Sequence, residues 1–252
     1  MRFACFVALL MVGAPALASP ATDAFGAGRF AEAVSAGRKE NSVAGLIAAG
    51  RAGSTMAAFQ TTDRKKARDL LLAAEKDFDA ALALQPGNPE ALLQKAIAIG
   101  YRAKLESNIG LAKQTRKNFE ALLAKRPNDP LVLGALGGWH GESIATLGKF
   151  IAGTALGANA KDGQRYYDKA VASPGADPVV PIFYATTLLN LSPDNAPKAK
   201  ALLQRAVKTQ PGDGFERLMV QNGRAILAPL EKGDVEAAQA VAKRVGAFGT
   251  LR

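Results

Sequence analysis

The stretch Phe78-Asp-Ala-Ala-Leu-Ala-Leu-Gln-Pro-Gly-Asn-Pro89 decides how this chain is read. Phe78 stands eight positions before Pro86, and apolar residues fill the places three to five before it. Those positions share one helical face. Pro86 cannot continue a helix, so it marks an end. Asn88 then offers a side-chain oxygen to the orphan N–H groups of a new helix. Pro89 takes the first helical position, where its missing donor costs nothing. The stretch reads helix, stop, cap, helix.

The same order returns in Phe119-Glu-Ala-Leu-Leu-Ala-Lys-Arg-Pro127, Tyr166-Tyr-Asp-Lys-Ala-Val-Ala-Ser-Pro174 and Leu203-Gln-Arg-Ala-Val-Lys-Thr-Gln-Pro211. Asp129-Pro130 and Asp177-Pro178 repeat the cap, and Asp213-Gly214 is a degenerate copy. The terminal prolines are 41, 47 and 37 residues apart, which suits a two-helix repeat with variable inserts. A count of 51 Ala also favours helices. The pattern predicts a first helix over 23–38. Paired helices follow over 42–60 with 63–85, 89–106 with 109–125, 130–148 with 161–172, 178–190 with 196–209, and 214–231 with 234–247. Val179-Val-Pro-Ile-Phe183 is the one strand-like run, and Pro181 demotes it. Phe78, Phe119 and Leu203 are expected at equivalent buried places.

These features resemble the tetratricopeptide (TPR) family. Leu136-Gly137 stands where that family has its Leu-Gly pair, and Ala81 and Ala206 match its small residue before the closing proline. Gly28-Arg-Phe-Ala-Glu-Ala33, Gly148-Lys-Phe150 and Gly233-Asp-Val-Glu-Ala237 look like its turn between paired helices. The resemblance runs from about Asp23 to Ala247. It implies an all-α solenoid of about five TPR-like antiparallel hairpins plus an N-terminal helix. Each hairpin bears one apolar stripe that only stacking can bury. In that family the first helix of each pair lines a concave groove. By that resemblance Tyr101, Arg102, Trp139, Glu142, Thr186 and Asn190 are candidate groove residues.

Glycines add two more candidates. Gly134, Gly138 and Gly141, with Gly137, make a face nearly free of side chains on the helix over 130–148. Each glycine costs a helix about 1 kcal/mol against alanine, so four need compensation. Packing against the insert 151–160 would supply it, most readily at Gly134 and Gly137. Gly138 and Gly141 fall at groove-facing positions and are expected to be exposed.

Residues 1–18 read as a signal peptide. Arg2 is the positive n-region, Phe3–Val12 an apolar stretch too short to span a bilayer, and Ala16-Leu17-Ala18 a small-residue cleavage site. Cys5 lies near the start of that stretch, not where a lipoprotein cysteine would stand. The expected mature chain, 19–252, is one exported, periplasmic, soluble domain. Losing the lone Cys excludes disulfides and Cys-ligated metal.

Chemistry is sparse. The chain has one His, and His140 and Glu142, two apart, point in different directions on a helix. No nucleophile elbow or phosphate loop is present. Glu75, Asp77 and Asp79 alternate along a helix and read as solvated surface. No cofactor, metal or catalytic residue is expected. The net charge of +10 is not interleaved with aromatics as single-stranded nucleic-acid binding requires. It favours ordinary solvated faces or weak attraction to anionic envelope surfaces over nucleic acid. The reading is a non-enzymatic scaffold holding a peptide or protein in a groove. Its rivals are a small-molecule-binding accessory of an envelope solute transport system and, last, an envelope polymer hydrolase.

Overall fold

The structure, a computed structural model, describes residues 19–173 and 177–251. The expected signal peptide and Pro174 lie outside them. The described chain is all helical and solenoid-like. Its helices are α1 (Pro20–Gly26), α2 (Phe30–Glu40), α3 (Val43–Phe59), α4 (Arg64–Leu84), α5 (Pro89–Glu106), α6 (Ile109–Lys125), α7 (Pro130–Leu147), α8 (Lys149–Ile151), α9 (Ala160–Ala172), α10 (Val179–Leu191), α11 (Ala196–Ala206), α12 (Gly214–Glu231) and α13 (Val235–Val245). A π-helical turn, Ala152–Leu156, joins α8 to α9.

The caps explain the boundaries. Asn88 accepts from Ala91 N–H, Asp129 from Leu131 and Val132, and Asp213 from Glu216. Asp177 Oδ1 accepts from Val179 and Val180, so α10 is capped as the Asp-Pro pair predicts. Pro181 falls in the first turn of α10, where its missing N–H costs nothing. The run of strand-like composition is therefore helix, as the expected helix over 178–190 has it. Gly148 and Gly233, at φ +78° and +79°, occupy the left-handed turn positions after α7 and α12.

Two expectations are corrected. The single helix over 23–38 is interrupted at Gly28, φ +79°, where the resemblance had also marked a turn, so α1 and α2 make a short further hairpin among the described residues. In the third repeat the buried aromatic is Tyr167, and Tyr166 is half-buried. Phe78, Phe119 and Leu203 are buried as expected. Asp77 is not solvated: Arg38 forks onto both its oxygens at 2.9 Å.

Each hairpin buries its stripe against the next. Phe78 of α4 packs with Ala98 of α5, and Gly50 of α3 leaves room for its ring, since a Cβ there would lie 2.5 Å from it. The largest core joins Leu133, Tyr167, Tyr184, Leu203 and Ile226 across α7 to α12.

The stack does not end in the open. Gly214, first residue of α12, meets the α1–α2 turn. A Cβ there would lie 2.4 Å from the Phe25 carbonyl oxygen and 2.5 Å from Gly28 Cα. The Arg217 guanidinium donates to the Gly26 carbonyl. Arg51 of α3 pairs with Asp213 at 2.8 Å. After α13, Phe248 N–H donates to the Ala58 carbonyl at 2.7 Å, and Thr250 Oγ1 to that of Thr61 at 3.0 Å. Phe248 and Leu251 pack with Leu71, Tyr101 and Leu105. The last hairpin and the tail thus lie against the first three, and the solenoid closes into a ring.

Candidate ligand cavity

The ring surrounds a half-open cavity of about 570 Å³. Its walls come chiefly from the helices that open the hairpins, with residues of α6 and α13 added. Gln94, Ile97, Tyr101 and Lys104 come from α5; Gly134, Gly138 and Glu142 from α7; Val179, Phe183, Thr186 and Asn190 from α10. These spacings of three and four put one stripe per helix on the inside. α3 adds Arg51, Ser54 and Phe59, and α12 adds Phe215, Glu216 and Met219.

Phe59 is the hub. Its ring lies 6.2 Å from Tyr101, 6.3 Å from Phe183 and 5.9 Å from Phe215, and Tyr101 is 5.9 Å from Phe248. Edge-to-face pairs at such distances stabilise beyond their buried area. They bring four helices and the C-terminal tail onto one apolar wall.

The charges on the wall are mostly compensated. Arg51 lies between Asp213 and Glu90, with its guanidinium 4.3 Å over the Phe25 ring. Lys104 pairs with Glu142. Burial raises the Asp177 and Glu216 carboxyls above the usual range, and Asp213 nearby adds to this; backbone N–H groups bonded to each oppose it. Burial, with the Glu142 charge, also raises the Tyr101 phenol, so it stays protonated as a hydrogen-bond donor.

Two polar atoms on the wall stand apart. Ser54 Oγ and Asn190 Oδ1 are buried and have no hydrogen-bond partner among the described residues. A buried polar atom left so costs about 1–3 kcal/mol. Thr55 and Thr186, beside them, bond the carbonyls of Arg51 and Ile182 in their own helices.

Of the eight candidate residues, Tyr101, Gly138, Trp139, Glu142, Thr186 and Asn190 line the cavity. Arg102 does not: its guanidinium turns to Glu75 at 2.6 and 3.0 Å, in the seam between α4 and α5. Gly141 is not exposed. A Cβ on it would lie 2.2 Å from Thr187 Cγ2, so it packs against α10. Gly134 and Gly137 pack likewise, on Val180 and Tyr167. The insert covers the other side of α7, where Ala152, Leu156 and Ala158 meet Leu136 and Trp139. Trp139 spends its indole N–H on the Ala112 carbonyl, 2.8 Å away, and serves as wall.

His140 lies outside the cavity lining. Its Nδ1 accepts from Asn159 N–H at 3.0 Å, and its ring stacks on Tyr166 at 5.9 Å. Burial, with Arg116 nearby, pushes its pKa down to about 4. Glu142 is engaged by Lys104.

Ser54, Phe59, Phe183 and Phe215 escaped the sequence reading. They lie on first helices of hairpins, as the candidates do. The rule that found Tyr101 and Thr186, applied to α3 and α12 and carried fully along α10, would have reached them. No protein-family model and no curated protein matches the chain. No helix among the described residues is long and apolar enough to cross a membrane.

Proposed function

We propose that this chain is an exported, TPR-like binding protein that encloses a small, largely apolar molecule and does no chemistry on it. Of the readings the sequence left open, this is the small-molecule accessory of an envelope solute transport system. One observation carries it: Gly214 against Gly28, with the tail on α3, turns the concave surface into a cavity. A volume near 570 Å³ lies within the range of about 300–1,000 Å³ typical of small-molecule sites, and an aromatic wall with a few polar groups is their usual lining. A peptide lying along a groove needs an open concave face. The export part rests on Met1–Ala18, and Ser19, which would open the mature chain, carries the α1 capping box. The packed, hydrogen-bonded His140 supports a role without catalysis.

The test is titration with N-phenyl-1-naphthylamine, an apolar fluorophore that brightens out of water. Saturable one-to-one binding is expected. Ile97→Trp, which adds bulk on the cavity wall, should weaken it at least tenfold with an unchanged helical circular dichroism spectrum. Absence of binding to the wild type, or equal binding by the variant, would refute the assignment.

A further inference from the structure

The cavity wall combines unpartnered neutral polar atoms with charges that are engaged by ion pairs or backbone N–H groups, Lys243 alone being turned to solvent. We infer that it selects an uncharged amphipathic molecule, an apolar body with hydroxyl- or amide-type hydrogen-bonding groups, and that Ser54 and Asn190 are the residues that read those groups. This rests on the ligand-binding reading above and goes on to name the ligand's chemistry.

The argument starts with Ser54. The residue is 7% exposed and its Oγ is enclosed, yet it meets no donor or acceptor among the described residues. A serine within a helix ordinarily bonds back to the carbonyl four residues earlier, as Thr55 does to Arg51. Ser54 does not. Asn190, seven residues beyond Phe183 on the cavity stripe of α10, leaves its side-chain oxygen in the same state. A fold that merely needed filler here would be more stable with alanine and leucine. Atoms that weaken the free protein but meet a ligand's polar groups discriminate strongly, because the wrong ligand leaves them unpaired.

The charges decide the sign. The wall carries six ionisable side chains of Asp, Glu, Lys and Arg type. Arg51 and Lys104 are engaged by Asp213, Glu90 and Glu142. Asp177 caps α10, and Glu216 accepts from Gly212 N–H at 2.7 Å. Lys243, outside any ion pair among the described residues, is exposed to solvent. A carboxylate brought inside would meet Asp177 and Glu216 as like charges or have to break the Arg51 or Lys104 pair, and an ammonium would have to draw Asp177 or Glu216 away from the backbone N–H groups they hold. Burying an uncompensated ion costs more than burying a hydrogen-bonded hydroxyl.

The experiment is competition against N-phenyl-1-naphthylamine by three ten-carbon probes: 1-decanol, decanoate and decylammonium. On the wild type, decanol should compete at least tenfold more tightly than either ion. Ser54→Ala and Asn190→Leu should each remove most of that advantage, read as the ratio of decanol to ion affinity in the same variant. Their ligand-free melting temperatures should equal or exceed the wild type's. Three results would overturn the inference: an ion competing as well as decanol, decanol preference surviving both substitutions, or a loss of stability in Ser54→Ala with preference intact, which would make the hydroxyl structural. In all three the fluorophore still binds, so the binding reading stands. Failure of the fluorophore itself would remove both.

Discussion

The joint between α7 and α10 and the joint between α1 and α12 do the same work by different means. At the first, glycines of one helix receive side chains of the other: Gly134 takes Val180 and Gly141 takes Thr187, with Tyr167 reaching over from α9 to Thr187 at 3.3 Å. At the second, backbone meets backbone at Gly214 and Gly28, held by Arg217 on the Gly26 carbonyl and Arg51 on Asp213. The first is a joint between neighbouring repeats and inherits their apolar periodicity. The second joins residues about 190 positions apart and rests on a few specific contacts. Stability should therefore reside in the stacked joints, and the shape of the cavity in the closing one.

The sharpest way to break that division lies deep in a stacked joint. Phe78→Ala should cost about 3–5 kcal/mol, since a fully buried ring is replaced by a cavity. Chemical denaturation measures it. A loss under 1 kcal/mol would mean that the stack is not where stability resides.

Next in size is a pH effect at the α7–α9 joint. His140 resists its proton down to about pH 4, whereas the unfolded chain takes it near pH 6.5. Between those values the unfolded state binds more protons, so stability falls as pH drops from about 6.5 to about 4 and its loss then levels off. The shift corresponds to about 3 kcal/mol. Comparing wild type with His140→Gln isolates this from the carboxylates that titrate in the same window. The variant should lose the slope.

The smallest effect separates the two joints directly. Gly141→Ala drives a methyl into Thr187, and Gly214→Ala drives one into the Phe25 carbonyl. Each should cost about 1–3 kcal/mol by overpacking. Only the second should raise the radius of gyration in small-angle scattering and release the naphthylamine probe, because only the second opens the ring. Release by both would erase the distinction.

This division also explains what the sequence revealed. The bounds of α5 and α12 were legible to the residue, because Asn88-Pro89 and Asp213-Gly214 are local signals. The N-terminal break was legible in the turn-like Gly28–Ala33, while the apolar pattern, which does not encode the left-handed φ of Gly28, ran one helix through it. The ring was not legible. Nothing in Gly214 or Arg217 alone names Gly28 and Gly26 as partners. Without the ring, the candidate residues pointed to an open groove. Six of them do face inward, but Gly141 misled because a bare face serves a close-packed neighbour as well as it serves a ligand. Ser54 was invisible for a different reason: its distinction is a bond it does not make.

The meeting of Gly214 with Gly28 bears on how such a chain can change over generations. An open solenoid grows or shrinks by copying or deleting whole repeats, and it needs polar end units to shield its exposed faces. Here the first and last hairpins shield each other. One additional hairpin would displace α12 from α1 by roughly the 8–10 Å that separates packed helices, beyond the reach of a glycine contact. The repeat number is therefore locked by closure. The protein can be retuned by substitution along the inner stripes, but a duplicated unit would undo the container.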